Sequence, residues 1–499
     1  MDYQTILLAL LFTSTLILIS FYPFHGRKKL TPPPPPGPVP LPIIGNLHLL
    51  GNQPHKSLAL LAQKYGPVMR LKLGMVNTVV ISSSAMAREA LQKQDLAFSS
   101  RTTPDALSSL NRRTPSVFWL PVAAKWRSLR TIMNTTIFSG SKLDANQELR
   151  ARKIRELIMY CRKKGRAGEA VDIGREAFKT TLNLLANTIF SKDLTDPNSD
   201  SAMDLKNLVW NIMEEAGKLN LVDYFPFLGK LDPQGIRRRM SHHYTETVSI
   251  FKDLIDQRLE DRKVDGNRNG DVLDSLLGIS EEKPEEFDRG QIERMCWDLF
   301  VAGTDTSSST VEWAMAELLK NSEAMAKAQS ELADVIGKGK LLNEGDVARL
   351  PYLQCIVKET FRLHPPTPLL IPRKVEQDVV LCEYTIPKGS KILINAWAIG
   401  HDTNLWDNPF VFNPERFWDS KIDVRGQDFE LIPFGAGRRI CPGLPMAVRM
   451  VPVMLGSLLN SFEWKIEGDI TSENLDMEAK FGMTLAKAHP FRAIPIPIM

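Results

Sequence analysis

The chain reads as a mainly α-helical protein with small β-sheets, a single large domain standing behind an amino-terminal transmembrane helix. Three observations carry that expectation. Residues 3–24 are apolar and hold no Lys, Arg, Asp or Glu, and about 20 residues at 1.5 Å rise span the ~30 Å hydrocarbon core of a bilayer. Most of 143–260 and all of 291–319 repeat apolar residues at helical spacing, as in Ile292, Met295, Cys296 and Leu299. Strand-like runs are short and scattered between the helical stretches.

Composition narrows the class. With 499 residues, 43% hydrophobic and 24% charged, the chain is an ordinary globular protein, long enough for three average domains or one unusually large one. No internal repeat divides it. A net charge of +4 is mildly basic and gives no reason to expect a nucleic-acid partner. The five cysteines, Cys161, Cys296, Cys355, Cys382 and Cys441, are odd in number and unpaired in spacing, as in a reduced, cytosol-facing fold.

In chain order, the cationic cluster Arg27-Lys28-Lys29 follows the apolar run, which by the positive-inside rule leaves the remainder cytoplasmic. A cleaved signal peptide would carry its charge in front of that run and a small-residue cleavage site behind it. Residues 3–24 are therefore expected to be an uncleaved anchor. Residues 31–42 read TPPPPPGPVPLP, and five consecutive prolines favour a stiff polyproline II spacer. A disordered linker or an SH3 ligand has the same composition. Directly after an anchor, a hinge that orients a domain against the membrane is the expectation, and residues 25–45 are assigned to it. Residues 46–499 form the domain.

Within the domain, 68–74 and 78–81 predict a hairpin and 86–94 a helix. Residues 98–122, mixed in composition with three prolines, predict a long loop of the kind that covers binding sites. A helix starts at Lys125, with Trp126 and Arg130 four apart on one face. Helical periodicity over 143–260 breaks at 196–197 and at 223–233. Residues 263–290 predict a surface loop holding one short helix near 272–277. A helix follows at 291–319, and another from Pro351 stops before Pro365-Pro366. Residues 369–373 predict a strand, 384–390 a strand and turn, and 391–398 the returning strand. A helix over 444–462 and then strand and loop complete the chain.

Chemistry concentrates in Pro433-Phe434-Gly435-Ala436-Gly437-Arg438-Arg439-Ile440-Cys441-Pro442-Gly443. Pro442 suits a first helical position, so Cys441 is expected at a helix N-terminus, where backbone N–H groups and the helix dipole favour a thiolate. A lone thiolate is a poor zinc or iron–sulfur site, which needs about four protein ligands, and a good axial ligand for a haem iron. The same residues also suit a tight turn around a buried cysteine. In the 291–319 helix, Ala302-Gly303-Thr304-Asp305-Thr306-Ser307-Ser308-Ser309-Thr310 is among the poorest helix-forming runs in the chain. It fits a kinked core helix, or one opened for dioxygen and water with Asp305 and Thr306 relaying protons. Arg130 is a natural partner for a carboxylate, to which the Trp126 indole N–H can also donate. Glu359 and Arg362 can pair at i, i+3, with Arg416 as a second arginine; on an exposed helix such a pair is worth under ~1 kcal/mol.

The spacing Phe434-x-x-Gly437-x-Arg439-x-Cys441-x-Gly443 resembles the haem-binding loop of cytochromes P-450. In the family's order, so do Trp126-x-x-x-Arg130, the Ala302-Gly303-x-Asp305-Thr306 run, Glu359-x-x-Arg362 and Pro414-x-Arg416-Phe417. The resemblance covers the chain from the anchor to the C-terminus. It is nearest to plant microsomal members, in the terpenoid-oxidising subfamily that hydroxylates geraniol, and stretches such as Val209-Trp210-Asn211-Ile212-Met213 carry it beyond the shared motifs. It is looser over 111–118, the loop that covers substrate.

The resemblance implies the cytochrome P-450 fold, haem b as cofactor, and Cys441 as the iron ligand. It implies further haem contacts from Trp126, Arg130, Arg373, Phe434 and Arg439, catalytic roles for Asp305 and Thr306, and a structural triad of Glu359, Arg362 and Arg416. Pocket segments are expected at 116–120, 299–306, 369–371 and 483–485. The implied activity is a monooxygenase using O2 and electrons from NADPH, delivered by NADPH–cytochrome P-450 reductase rather than bound by this chain, with Lys125, Arg127 and Arg438 on the docking face. The expected setting is the endoplasmic reticulum membrane, single-pass, with the catalytic domain cytosolic. The expected substrate is a small terpenoid, geraniol or nerol, hydroxylated at its terminal allylic methyl to 8-hydroxygeraniol. A larger diterpenoid or phenolic substrate, and a non-catalytic haem or sterol-binding membrane protein, are the alternatives.

Overall fold

The computed structural model describes residues 4–5, 7–8, 11–15, 32–195, 201–265, 269–468 and 470–498. After the proline-rich stretch come α1 (Pro54–Tyr65), the hairpin β1 (Val68–Leu73) and β2 (Val76–Ile81), and α2 (Ser84–Arg88), which runs into a π-helical turn at Glu89–Lys93. Next are β3 (Ser100–Arg101), α3 (Asp105–Arg113), α4 (Ala124–Thr136), α5 (Gly140–Ala145), α6 (Gln147–Arg166), β4 (Val171–Asp172) and α7 (Ile173–Phe190). The helices α8 (Ser201–Gly217), α9 (Leu221–Tyr224), α10 (Ile236–Asp265) and α11 (Val272–Glu282) lead to the long α12 (Arg289–Lys320) and to α13 (Ser322–Val335). Then follow α14 (Pro351–Leu363), β5 (Arg373–Lys374), β6 (Val379–Leu381), β7 (Tyr384–Ile386), β8 (Lys391–Ile394), α15 (Ala396–Gly400) and α16 (Leu444–Ser461). Four short strands close the chain: β9 (Phe462–Ile466), β10 (Ala479–Phe481), β11 (Leu485–Lys487) and β12 (Arg492–Pro497).

An apolar helical stripe calls for burial against a core, and in α12 the burial extends well beyond the stripe. It is buried almost continuously from Gln291 to Leu318 and packs on α7, α8, α10, α14 and α16. Its first half joins an apolar cluster with α7, α8 and α10, and its second half a cluster with α14 and α16. The weak helix formers 302–310 do not interrupt it. Their hydroxyls fold back on carbonyls four residues earlier, Thr304 on Phe300 at 2.7 Å, Thr306 on Ala302 at 2.8 Å and Thr310 on Thr306 at 2.8 Å. These hydroxyls thereby find acceptors without leaving the helix, while buried Ser309 donates outside it, to Leu485 O at 3.1 Å.

One five-stranded sheet, ordered β1-β2-β8-β5-β3, flanks the helices, with β2 and β8 parallel and the other pairs antiparallel. The outer edge of β1 is covered by the proline-rich stretch. Arg70 N donates to Pro36 O at 2.7 Å, Asn46 N to Lys72 O at 2.6 Å, and Lys72 N to the Asn46 side chain at 2.8 Å. Thr385 holds the same stretch from β7, its N–H on Pro33 O and its hydroxyl on Pro32 O. Prolines suit an edge because they ask for no partner of their own. At Gly45, with φ +61°, a Cβ would stand 2.0 Å from Lys72 O, so the close approach needs glycine.

Several local expectations change. The 98–122 loop contains β3 and α3; the Ser-rich α3 has weak propensity and is held by tertiary contacts, with Asp223 accepting from Asp105 N at 2.7 Å and Arg237 pairing with the Asp105 carboxylate. The strand at 369–373 shrinks to β5, because Leu370 takes φ +49°. Residues 391–398 do not return along β7, which pairs with β6; β8 instead joins the large sheet, and Asn395 caps α15 by accepting from Ala398 N. The carboxy-terminal helix begins at Leu444, with Pro445 in its first turn, rather than at Pro442. That helix is apolar and long enough to cross a bilayer, yet it lies in the core. Of the expected anchor at 3–24, residues 4–5, 7–8 and 11–15 are helical and exposed. The rest of it, the cationic cluster and the break at 196–197 lie outside the described residues.

The Glu359–Arg362–Arg416 triad is buried. Glu359 accepts from Arg362 Nε and Nη2 at 2.6 and 2.7 Å, from Asn413 N at 2.8 Å and from Arg416 Nε at 3.1 Å. Arg362 also donates to Gly400 O, Pro409 O and Val411 O. With every lone pair and proton engaged, removing the carboxylate strands two guanidinium groups. Glu359→Ala should lower unfolding stability by about 3–5 kcal/mol, read from denaturant midpoints, whereas Glu260→Ala, which breaks the exposed pair with Lys263, should leave the midpoint unchanged. Equal midpoints for both variants would reduce the triad to surface ion pairing.

Candidate active site

The cysteine loop is shaped by what it leans on. Gly435 and Gly437 both take φ +68°, and a Cβ on Gly437 would lie 2.1 Å from Leu91 O and 2.9 Å from Asp95 Oδ1. Only glycine allows the loop to press against the end of the π-helical turn. Asp95 fixes it further by accepting from Arg438 N at 3.1 Å and pairing with Arg438 Nε at 3.0 Å. Cys441 N donates to Phe434 O at 3.0 Å, closing the turn. Burial pushes the Cys441 thiol up, opposed by the N–H groups of Gly443 and Leu444 and by the Arg130 cation. Burial and the helix terminus thus act on this thiol in opposite directions.

Above this loop lies a cavity that gathers the side chains of Cys441, Phe434, Trp126, Arg130, Arg373, Arg439 and Thr306. Arg101 joins them, and among the described residues no Asp or Glu lines the space. Arg130 Nη2 donates to Ile440 O at 2.6 Å, and Arg373 reaches Phe98 O at 3.1 Å and Ala436 O at 3.4 Å. Arg439 donates to Ser99 O at 2.9 Å, Val117 O at 3.3 Å and Leu120 O, and its guanidinium sits 5.0 Å from the Trp126 ring. Arg101 Nη1 donates to Phe118 O at 2.7 Å while its buried Nε has no partner. Burial pushes Arg373 down to about 10, and burial with neighbouring cations does the same to Arg439. Four guanidinium groups facing an acid-free cavity fit a ligand that brings its own negative charges, a body flat and apolar enough for Phe434 and Trp126, and a metal for one thiolate.

The remaining walls are apolar. They come from Val117, Phe118 and Trp119 in the covering loop, Trp297, Val301 and Ala302 on α12, Ile212, Met213 and Ala216 on α8, Met240 on α10, Leu370 and Ile371, and Met483. The covering loop is tied to α12 by a dry polar knot. Ser116 Oγ donates to Asp298 Oδ2 at 2.7 Å, and Gln291 Nε2 to Pro115 O at 3.1 Å. Arg294 Nε stands 3.4 Å from Asp298 Oδ1 without hydrogen-bond alignment, and its guanidinium lies over the rings of Trp297 and Tyr244. Burial pushes Asp298 up to about 6 even with Arg294 beside it.

Asp305 does not line the cavity. It lies one residue behind Thr306, buried, with Oδ2 lacking a hydrogen-bond partner beside the equally unpartnered Thr484 hydroxyl. Burial raises its carboxyl above the ordinary range, opposed by Thr484 and the Lys206 cation.

The sequence model for cytochrome P-450 matches residues 34–489. The chain is a cytochrome P-450. As a member of that family it is a haem b monooxygenase supplied with NADPH electrons through a reductase, and the donor set around its cavity fits that cofactor. This cytochrome P-450 is 64% identical to the geraniol 8-hydroxylase of Catharanthus roseus, over 99% of both chains. It is 62% identical to the geraniol 8-hydroxylase of Swertia mussotii, over the full length of both. A 7-ethoxycoumarin O-deethylase of Helianthus tuberosus is 53% identical, again over both full lengths.

Sequence reasoning missed Arg101, Asp298 and the α8 and α10 walls of this cytochrome P-450. Nothing local marks Arg101, which ends a two-residue strand. Arg294 and Asp298 did leave a signal, two opposite charges at i, i+4 beside the apolar stripe of Ile292, Met295, Cys296 and Leu299. Asp298→Ala should weaken the substrate-induced spectral shift of the haem about tenfold or more while leaving the carbon monoxide band intact, because it frees the covering loop without touching the cysteine loop. The pH dependence has a definite sign: a carboxyl raised to about 6 from 3.8 binds more protons folded than unfolded between those values, so its contribution to stability is present below about pH 4 and lost as pH rises through 6. Asp298→Asn should remove that slope from unfolding midpoints measured over the same window.

Proposed function

We propose that this cytochrome P-450 hydroxylates a small terpenoid alcohol, geraniol or nerol, at its terminal allylic methyl, giving 8-hydroxygeraniol from geraniol. The observation that carries this reading is full-length identity of 64% and 62% to two geraniol 8-hydroxylases. The aliphatic and aromatic walls around the cavity support it, since they suit an isoprenoid chain and offer nothing for a sugar or a phosphate.

Cys441 Sγ would hold the haem iron, with Arg101, Arg130, Arg373 and Arg439 and the Trp126 indole holding the haem carboxylates and Phe434 packing on the ring. Bound haem supplies the activation of dioxygen and the transfer of one oxygen atom into a C–H bond. The protein's own work is orientation, exclusion of water and delivery of protons. Val117, Phe118, Val301, Ile371 and Met483 enclose the isoprenoid chain and present its weak allylic C–H bonds. Thr306 Oγ1, turned from Ala302 O toward the cavity, would hold a water there. The Asp305 carboxyl, held above the ordinary carboxylate range by burial, would relay protons toward that water from behind Thr306. Arg127 and Arg438, both exposed, with Lys125, would receive the reductase. Residues 3–24 would anchor the chain once in the endoplasmic reticulum membrane, residues 25–45 would connect the anchor to the domain, and 46–499 would work on the cytosolic side.

Cys441→Ala should abolish the red-shifted carbon monoxide band that thiolate ligation gives; a surviving band would remove Cys441 from the iron. Thr306→Ala should keep consuming NADPH but divert it, with product per NADPH falling about tenfold or more and peroxide rising; unchanged coupling would leave Thr306 a packing residue. Reconstituted with reductase, the enzyme should convert geraniol and nerol. Efficient oxidation of an abietane-type diterpene or a phenol, with both monoterpenols untouched, would overturn the substrate while keeping the monooxygenase.

A further inference from the structure

On the far side of β1 from the core, the fastened proline-rich stretch and the hairpin enclose a second, separate cavity of about 250 Å³. Its walls are Gly37, Pro38, Pro40 and Asn46 from the stretch, and Arg70, Lys72, Met75 and Asn77 from the hairpin. Arg70 and Lys72 are two apart on the outward face of β1, and the hairpin register sets Asn77 directly across from Lys72. Among the described residues neither cationic side chain has a hydrogen-bond or acidic partner, and no Asp or Glu lines the space. The site is built rather than incidental. Asn46 accepts from Lys72 N and donates to Pro38 O and Val39 O, fixing the floor, while Pro36 and Gly45 pin the stretch to the strand edge. A rigid pocket whose free side-chain groups are donors is a receptor for an anion.

Which anion follows from its surroundings. The rim carries the exposed apolar side chains of Val39, Leu41, Ile43, Ile44 and Met75, with Val39 89% exposed. A soluble anion gains nothing from such a collar; a phospholipid brings acyl chains to it. Position argues the same way. The apolar run ends at Phe24 and the nearest pocket wall is Gly37, so at about 3.6 Å per residue the pocket cannot lie more than ~45–50 Å from the end of that run. Between them sits Arg27-Lys28-Lys29, three further cations.

We propose that this pocket binds the headgroup of an anionic phospholipid, the phosphate and carboxylate of a phosphatidylserine type, with Arg70 and Lys72 as its receptors and the apolar collar in the acyl boundary. The proposal rests on the reading of residues 3–24 as a membrane anchor. Because the proline-rich stretch is itself one wall, the bound lipid would fix the tilt of the domain on the membrane.

The test uses the full-length holoenzyme in vesicles containing photoactivatable phosphatidylserine or, separately, phosphatidylcholine with the same reactive group near the headgroup. The serine probe should label peptides spanning 37–46 and 70–77 in clear excess over the choline probe. Arg70→Glu with Lys72→Glu should cut that labelling about tenfold or more, to the choline level, while Lys163→Glu with Arg166→Glu on α6, an equal charge change on exposed side chains elsewhere, should not. All variants should retain the carbon monoxide band. Equal labelling by both probes, or labelling indifferent to the Arg70 and Lys72 reversal, in protein that resists alkaline carbonate extraction would overturn the pocket and spare the anchor. Release of the protein by carbonate would overturn the anchor and the pocket with it. Loss of labelling on adding excess inorganic phosphate would make this a site for a free anion instead of a lipid.

Discussion

Like charges do not share a dry cavity willingly, and the cluster of Arg101, Arg130, Arg373 and Arg439 is the constraint that organises this protein. Each guanidinium is satisfied in part by backbone carbonyls, from Phe98, Ser99, Val117, Phe118, Leu120, Ala436 and Ile440. Carbonyl dipoles moderate the mutual repulsion but carry no net charge to cancel it. Among the described residues Asp95 is the nearest acid, 3.9 Å from Arg373 and engaged with Arg438. At the proposed cofactor site the carboxylates of a haem would complete the charge balance, which would make haem binding and the stability of this half of the fold one equilibrium.

The same arginines connect cofactor to substrate. The covering loop is held on one side by Arg101 and Arg439, which grip its carbonyls, and on the other by Asp298, which accepts from Ser116. A loop pinned at both edges presents Val117, Phe118 and Trp119 as a rigid wall rather than a flap. Apart from Ser116, these grips fall on carbonyls of the loop, so its other side chains can change while the frame stays put. That separation suits a family in which similar chains act on different small molecules.

What the sequence made legible was whatever depends on local geometry. The cysteine loop could be read because its glycines answer backbone demands, and Trp126 and Arg130 because four residues on a helix share a face. Helix α12 was readable from its apolar stripe of Ile292, Met295, Cys296 and Leu299, though not its continuity through 302–310, where back-bonding hydroxyls repair what propensity predicts to be broken. Helix α3 was hidden because its support comes from Asp223 and Arg237, more than a hundred residues away. Arg101 was hidden for a like reason: its meaning is the company of three other arginines drawn from distant segments. Pro442 was misjudged as a helix start when Pro445 holds the first turn, a small error with no effect on where Cys441 ends up.

Arg439 grips carbonyls at Ser99, Val117 and Leu120, more than three hundred residues upstream. During synthesis the ribosome releases those carbonyls long before Arg439 exists. The covering loop, together with the helices it roofs, must therefore wait for nearly the whole chain before it can close. A nascent chain stalled before Arg439 exposes the apolar walls of the future cavity to whatever binds greasy surfaces first. For this protein, quality control by chaperones is a matter of chain order as much as of stability.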